Sequence, residues 1–95
     1  ALVKLGDVEL DLTGRRATRA GKAVPITTRE WAVLELLAAH EGRVITRSDI
    51  LESIWGETSD AASASLEVII GRIRRKLGTE IVRTLRGEGY AFGPA

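Results

Sequence analysis

Leu66, Ile69, Ile70, Ile73 and Leu77 recur at helical spacing through the stretch SLEVIIGRIRRKLG (65–78). That spacing places them on one stripe of an α-helix, and a helix with such a stripe must dock on a core. The same segment carries Arg72, Arg74, Arg75 and Lys76. Away from the stripe lie Ala64, Ser65, Val68, Gly71, Arg72 and Arg75: small residues, one valine and two arginines. A merely solvated face usually carries long side chains in Glu–Lys pairs. This face is trimmed instead, so that something wide can approach the backbone.

The remaining elements read off in order. VELDL (8–12) alternates apolar and acidic with period two, the signature of a half-buried strand. RRATRA (15–20) and KAVPI (22–26) are further strand candidates, set apart by turn signals at Thr13-Gly14 and Ala20-Gly21. Leu2 to Leu5 adds a strand at the start. Together they form an antiparallel meander, with Arg15, Arg16 and Arg19 on its solvated face. Thr27 and Glu30 then make a capping box for a helix with Trp31, Leu34, Leu37 and Ala38 on its core face, reaching His40 and stopped by Gly42. Thr46 and Asp49 open a second helix through Ile50, Leu51, Ile54 and Trp55, closed by Gly56. A loop follows, and Asp60 or Ser63 caps the third helix, which runs over 63–77 with Gly78 as its stop. Finally, Ile81–Leu85 and Tyr90–Phe92 flank Arg-Gly-Glu-Gly, a hairpin over 80–93 with a glycine tip. The expected fold is α+β in one domain over 1–95: meander (1–26), three-helix core (27–78) and hairpin.

Charge narrows the role. The chain of 95 residues has a net charge of only +1, but residues 1–70 hold 8 Lys/Arg against 11 Asp/Glu, whereas residues 71–95 hold 6 against 2. A basic C-terminal end on an acidic body suits a polyanion. Three readings of the third helix compete. It is a core helix with a basic outer face, an amphipathic helix for a membrane surface or partner, or a recognition helix for the DNA major groove. In the last, small residues let the helix sink, Arg forks onto guanine and Val meets a thymine methyl. Arg86 beside glycines at the hairpin tip is placed to enter a minor groove.

At this point the chain resembles the winged-helix DNA-binding effector domains of OmpR/PhoB-type response regulators. The resemblance spans nearly the whole sequence, through TTREWAVLELLAAHEGRVITRSDILESIWG (27–56), LEVIIGRIRRKLG (66–78) and VRTLRGEGYAFG (82–93). It implies a winged helix-turn-helix that binds double-stranded DNA as the output domain of a two-component phosphorelay. Arg72 would read a guanine, Val68 would meet base methyls, Ser65 would face the groove and Arg86 would reach the minor groove. Trp55, Thr84, Gly87 and Tyr90 would touch or frame phosphates, with Arg74 and Arg75 near the backbone. Ala64, Ile69 and Gly71 stand at backbone-facing positions where the family carries more polar residues, so each offers less. The family further implies an upstream receiver domain, homodimers on tandem half-sites with the isolated domain monomeric, and RNA polymerase contact through loop 56–62. The absence of methionine fits a domain excised from a longer chain. The alternative is a winged-helix module gripping an acidic protein partner.

Other chemistries find no residues. There is no cysteine and one histidine, which removes thiolate chemistry and any His/Cys metal cluster and fits a reducing, cytoplasmic setting. The lone G-x-G, Gly87-Glu88-Gly89, sits at a hairpin tip rather than opening a helix. Asp7, Glu9 and Asp11 alternate along a strand as a solvated face. No metal, cofactor, membrane span or enzymatic activity is expected. His40 is a surface residue at a helix end, and Trp31 belongs to the core.

Overall fold

In the computed structural model, which describes residues 2–94, nine elements follow the expected order. Strands β1 (Leu2–Leu5), β2 (Val8–Asp11), β3 (Arg16–Arg19) and β4 (Lys22–Ala23) come first. Helices α1 (Thr28–Ala39), α2 (Arg47–Trp55) and α3 (Asp60–Leu77) follow, then strands β5 (Val82–Leu85) and β6 (Gly89–Phe92). The four N-terminal strands form an antiparallel meander in sequence order. Its register sets Val3 opposite Leu10 and Leu10 opposite Ala17, so one face of the sheet is apolar. Val8, Leu10 and Ala17 are buried there, while Glu9 faces out.

Two strands are shorter than the sequence suggests. The 15–20 candidate pairs only over Arg16–Arg19, and the 22–26 candidate only over Lys22–Ala23. Pro25 has no N–H to give a ladder. The Val24 N–H still reaches the Ala17 carbonyl at 2.9 Å, after which the chain leaves for α1.

Helix α1 starts as its capping box requires. The Thr27 N–H donates to Glu30 Oε1 at 2.9 Å, and the Glu30 N–H donates to Thr27 Oγ1 at 3.2 Å. Helix α2 has half of that arrangement: the Asp49 N–H donates to Thr46 Oγ1 at 3.1 Å. Helix α3 differs from expectation at its start. Its cap is Ser59, whose Oγ accepts from the Ala62 N–H at 3.2 Å, and the helix begins at Asp60. The capping site lies upstream because Asp60 already has helical geometry and places its charge at the positive end of the helix dipole. Ser63 instead accepts from Arg47 of α2 through its Oγ.

The stripe Leu66, Ile69, Ile70, Ile73 and Leu77 is buried as a unit, joined by Ala62. It meets Leu34 and Leu37 of α1, Ile50 of α2, and Val82, Tyr90 and Phe92 of the hairpin in one core. Each fully buried Leu or Ile contributes about 1.5–3 kcal/mol. Hairpin and helices are also stitched through the backbone. Ile45, just before α2, pairs with Tyr90, donating at 2.8 Å and accepting at 3.0 Å. This extra rung fixes the hairpin against α2.

The far end of α3 is tied to the sheet. Arg19 aims its Nη1 at the carbonyls of Arg75 and Lys76, at 3.5 and 3.3 Å. A cation at a helix C-terminus opposes the negative end of the dipole. Arg19 is therefore no idle member of a solvated face. Arg15 is not either, since it forms a two-bond pair with Glu35 of α1 at 2.7 and 2.9 Å.

Candidate nucleic-acid interface

Because α3 docks by its stripe, the opposite side is turned outward. There Ala64, Arg72 and Arg75 are exposed, Ser65 and Gly71 are half-buried, and Val68 is 50% exposed. Half-exposure of a valine on a helix with a full apolar stripe elsewhere is not explained by the core. A Cβ built on Gly71 meets nothing within 4 Å, so no packing partner demands the missing side chain. Among the described residues, no hydrogen bond or ion pair engages the guanidinium groups of Arg72, Arg75 or Arg86. The outward face is thus low in relief and carries cations with unspent donors.

The hairpin leaves the body beside α3. Arg74, half-buried, donates Nε and Nη2 to the Val82 carbonyl at 3.0 and 2.7 Å, and Nη2 to Thr84 Oγ1 at 2.7 Å. Its fork is spent on β5, which makes Arg74 a brace between helix and hairpin. Arg86, Gly87 and Glu88 are exposed at the tip, closed by a Glu88 N–H to Leu85 carbonyl bond of 2.9 Å. Thr84 is exposed and already accepts from Arg74.

Two of the residues expected near the DNA backbone have side chains that pack into the core. Ile69 is only 6% exposed, because it lies on the docking stripe, so its side chain has no surface for a phosphate. Tyr90 is 5% exposed. Its ring belongs to the core, and its hydroxyl accepts from Arg47 Nη1 at 3.2 Å. Trp55 is half-buried, with the Arg29 guanidinium 4.9 Å from its ring centroid.

Arg47, which the residue-by-residue reading passed over, is the hub between α2, α3 and the hairpin. It donates to Ser63 Oγ at 3.0 and 2.7 Å, to the Ser63 carbonyl at 3.1 Å and to Tyr90, and it pairs with Glu67 at 2.7 Å. Burial works against its charge, but the bonds to Glu67 and Tyr90 outweigh that and raise its pKa above the ordinary arginine value. Arg47, Thr84, Gly87, Glu88 and Tyr90 line a shallow notch of about 240 Å³ beside the hairpin. The signal for Arg47 was its place immediately after the Thr46 cap. A cation in a first turn opposes the helix dipole and needs a compensating partner.

At the other end of the helices, Glu30 is fully buried. Besides its capping bonds it accepts from Lys76 Nζ at 2.7 Å. Burial pushes its carboxyl up, but the bonds from Lys76 and Thr27 push it down further, leaving it below the usual carboxylate range. Lys76 is therefore a tether of α3 to α1 and not a free cation. The four cations of 72–76 divide into two outward groups, Arg72 and Arg75, and two braces, Arg74 and Lys76. Among the described residues no group of three or more His, Asp or Glu is placed to hold a metal ion. Among the described residues no helix is long and apolar enough to cross a membrane.

Comparison with known proteins follows the same lines. The family described as "Transcriptional regulatory protein, C terminal" matches residues 21–92. The chain is 39% identical over 87 residues to the response regulator protein PmrA of Pseudomonas aeruginosa, covering 92% of this chain and 39% of that one. It is 41% identical over 90 residues to the response regulator MprA of Mycobacterium ulcerans, covering 90% and 39%. The chain thus spans about two fifths of the length of these curated relatives. Among solved structures, the DNA-binding domain of RstA from Klebsiella pneumoniae, in complex with the RstA box, superposes with a TM-score of 0.78 at 29% identity, covering 99% and 98% of the two chains. The C-terminal effector domain of BfmR from Acinetobacter baumannii gives a TM-score of 0.75 at 35% identity, covering 96% and 88%.

Proposed function

The chain belongs to the family of C-terminal domains of transcriptional regulatory proteins, the OmpR/PhoB-type response-regulator effector domains, and on that premise we propose that it binds double-stranded DNA as a transcriptional output domain. The family is one of regulators, not enzymes. The observation that carries the proposal is the outward face of α3, where Arg72 and Arg75 keep unspent donors among small residues and beside an exposed valine. Such a helix can sink into a major groove.

In this reading Arg72 forks onto a guanine, Val68 meets a thymine methyl and Ser65 faces the groove. Arg86 enters the neighbouring minor groove. Arg75, Gly87 and Thr84 meet phosphates directly, while Trp55 frames them. Ala64 and Gly71 let the backbone approach. Arg74 and Tyr90 act chiefly by holding the hairpin at its angle to α3. Arg47 completes the set, its charge set beside the notch at the hairpin base. Phosphates supply much of the affinity and the base edges supply preference. A phosphorelay setting with an upstream receiver domain is part of the proposal and fits relatives that are named response regulators and extend well beyond the matched region; homodimers on tandem half-sites and a polymerase contact through loop 56–62 are proposed from the family resemblance alone. A module gripping an acidic protein is not favoured, since a structural relative was solved on its DNA box.

The experiment is a titration of the domain against mixed genomic fragments at two salt concentrations. Binding at ~50 mM salt that weakens steeply as salt rises is expected. No binding, or binding indifferent to salt, would sink the reading. Arg72→Ala should cost about 1–3 kcal/mol and relax preference at one base pair. Uniform losses across all sequences would instead assign Arg72 to the backbone.

A further inference from the structure

The first turn of α1 holds a cation whose position the fold does not require. Arg29 is exposed, and its guanidinium lies 4.9 Å from the centroid of Trp55, the last residue of α2. Among the described residues it makes no ion pair and no side-chain hydrogen bond. A positive charge in a first turn opposes the helix dipole, so α1 gains nothing from it there. A core contact does not explain it either, because Arg29 is exposed and the ring beneath it is only half-buried.

What stacking does leave free is the edge. A guanidinium lying on an indole uses its π-face and keeps its five N–H donors around the rim. Its rotamer freedom is already reduced, so less is lost when those donors find an anion. The place also fits. In a helix-turn-helix the helix before the recognition helix crosses the sugar–phosphate backbone. Here that helix is α2, and the Arg29–Trp55 stack sits at its C-terminal end, next to the four-residue approach to α3.

We propose that Arg29, held over the Trp55 ring, is a phosphate-gripping residue of the DNA interface, contributed by α1 and separate from α3 and the hairpin. The inference rests on the DNA-binding reading above, and the test separates the two. The domain, Arg29→Gln and Arg16→Gln are each titrated by fluorescence anisotropy against one labelled mixed-sequence duplex, from 50 to 200 mM salt. Arg16 is an exposed cation on β3 with the same formal charge, so its variant controls for net charge. Thermal melts confirm that the variants fold.

Arg29→Gln should flatten the plot of log affinity against log salt by about 0.9, the value of one phosphate contact. Equivalently, the advantage of the unaltered domain over this variant shrinks by about 3.5-fold across that range. Arg16→Gln should leave the slope alone. A slope unchanged in Arg29→Gln overturns the assignment while the DNA reading stands. Equal flattening in both variants overturns it too, because the effect is then one of net charge. Absence of salt-dependent binding by the unaltered domain overturns both.

Discussion

Replacing Lys76 by Met tests the tether between α3 and α1 and its charge state together. Glu30 is fully buried and Lys76 is 29% exposed, so the two halves of the pair are unequal. Removing Lys76 strands a buried carboxylate, and breaking a buried pair in this way costs about 3–5 kcal/mol. The carboxyl has an escape, which is to take up a proton. At pH 7 that costs at most about 3.7 kcal/mol for a group with an unfolded pKa near 4.3. We therefore expect Lys76→Met to lose about 3 kcal/mol at pH 7. Glu30→Gln keeps an oxygen for the Thr27 N–H, and its partner Lys76 can turn to water, so about 1–1.5 kcal/mol is expected.

The pH dependence sharpens this. The folded pKa of Glu30 is lowered, so its ionised pair contributes stability above the unfolded pKa and loses it as pH falls through the folded value. The deficit of Lys76→Met should then shrink towards 1 kcal/mol near pH 4.5, as the proton becomes cheap to bind. The deficit of Glu30→Gln should also decline on acidification, from its smaller starting value. Urea titrations at pH 7 and pH 4.5, followed by the fluorescence of buried Trp31, measure all four quantities. A Lys76→Met deficit that is the same at both pH values, or smaller than that of Glu30→Gln at pH 7, refutes the argument.

Other outcomes follow from single positions. Gly71→Ala should raise stability by about 0.5–1 kcal/mol, since its methyl meets open space, while weakening DNA binding because it thickens the face offered to the groove; a thermal melt and a titration check the two effects. Gly89→Ala should destabilise by more than about 2 kcal/mol. Gly89 has φ of 149°, and a Cβ there would overlap the Ile45 carbonyl, so amide exchange at Ile45 and Tyr90 should accelerate along with a lower urea midpoint. Arg19→Ala should cost about 0.5 kcal/mol through the lost contact with the C-terminal carbonyls of α3, seen as a small drop in melting temperature that fades at high salt.

Much of the candidate site was legible because the faces of α3 depend on local rules. Arg72 and Val68 face outward for the reason that Leu66, Ile70 and Ile73 face inward, and a helical repeat fixes one set once the other is known. The tip of the hairpin was readable from glycines flanking Arg86 and Glu88. Roles set by long-range partners were not. Arg74 and Arg75 are neighbours in sequence, yet one is spent on β5 and the other has no side-chain partner among the described residues. Arg47 and Arg29 each stand in the first turn of a helix, with nothing adjacent to say that Ser63, Glu67 and Tyr90 surround the first or that Trp55 supports the second. The start of α3 was misplaced because Ser59, Asp60 and Ser63 are all good caps by type, and only the geometry of the Ala62 N–H selects among them.

Hydrophobic periodicity and capping chemistry by themselves determined the element order, the docking stripe of α3 and the surface it leaves over, since both act within a few residues along the chain. Tertiary structure alone decided which cations remain for a partner. A guanidinium or ammonium is neutralised by whatever the fold brings within about 3 Å, and residues such as Lys76 and Glu30, 46 apart in sequence, meet only once the core has closed.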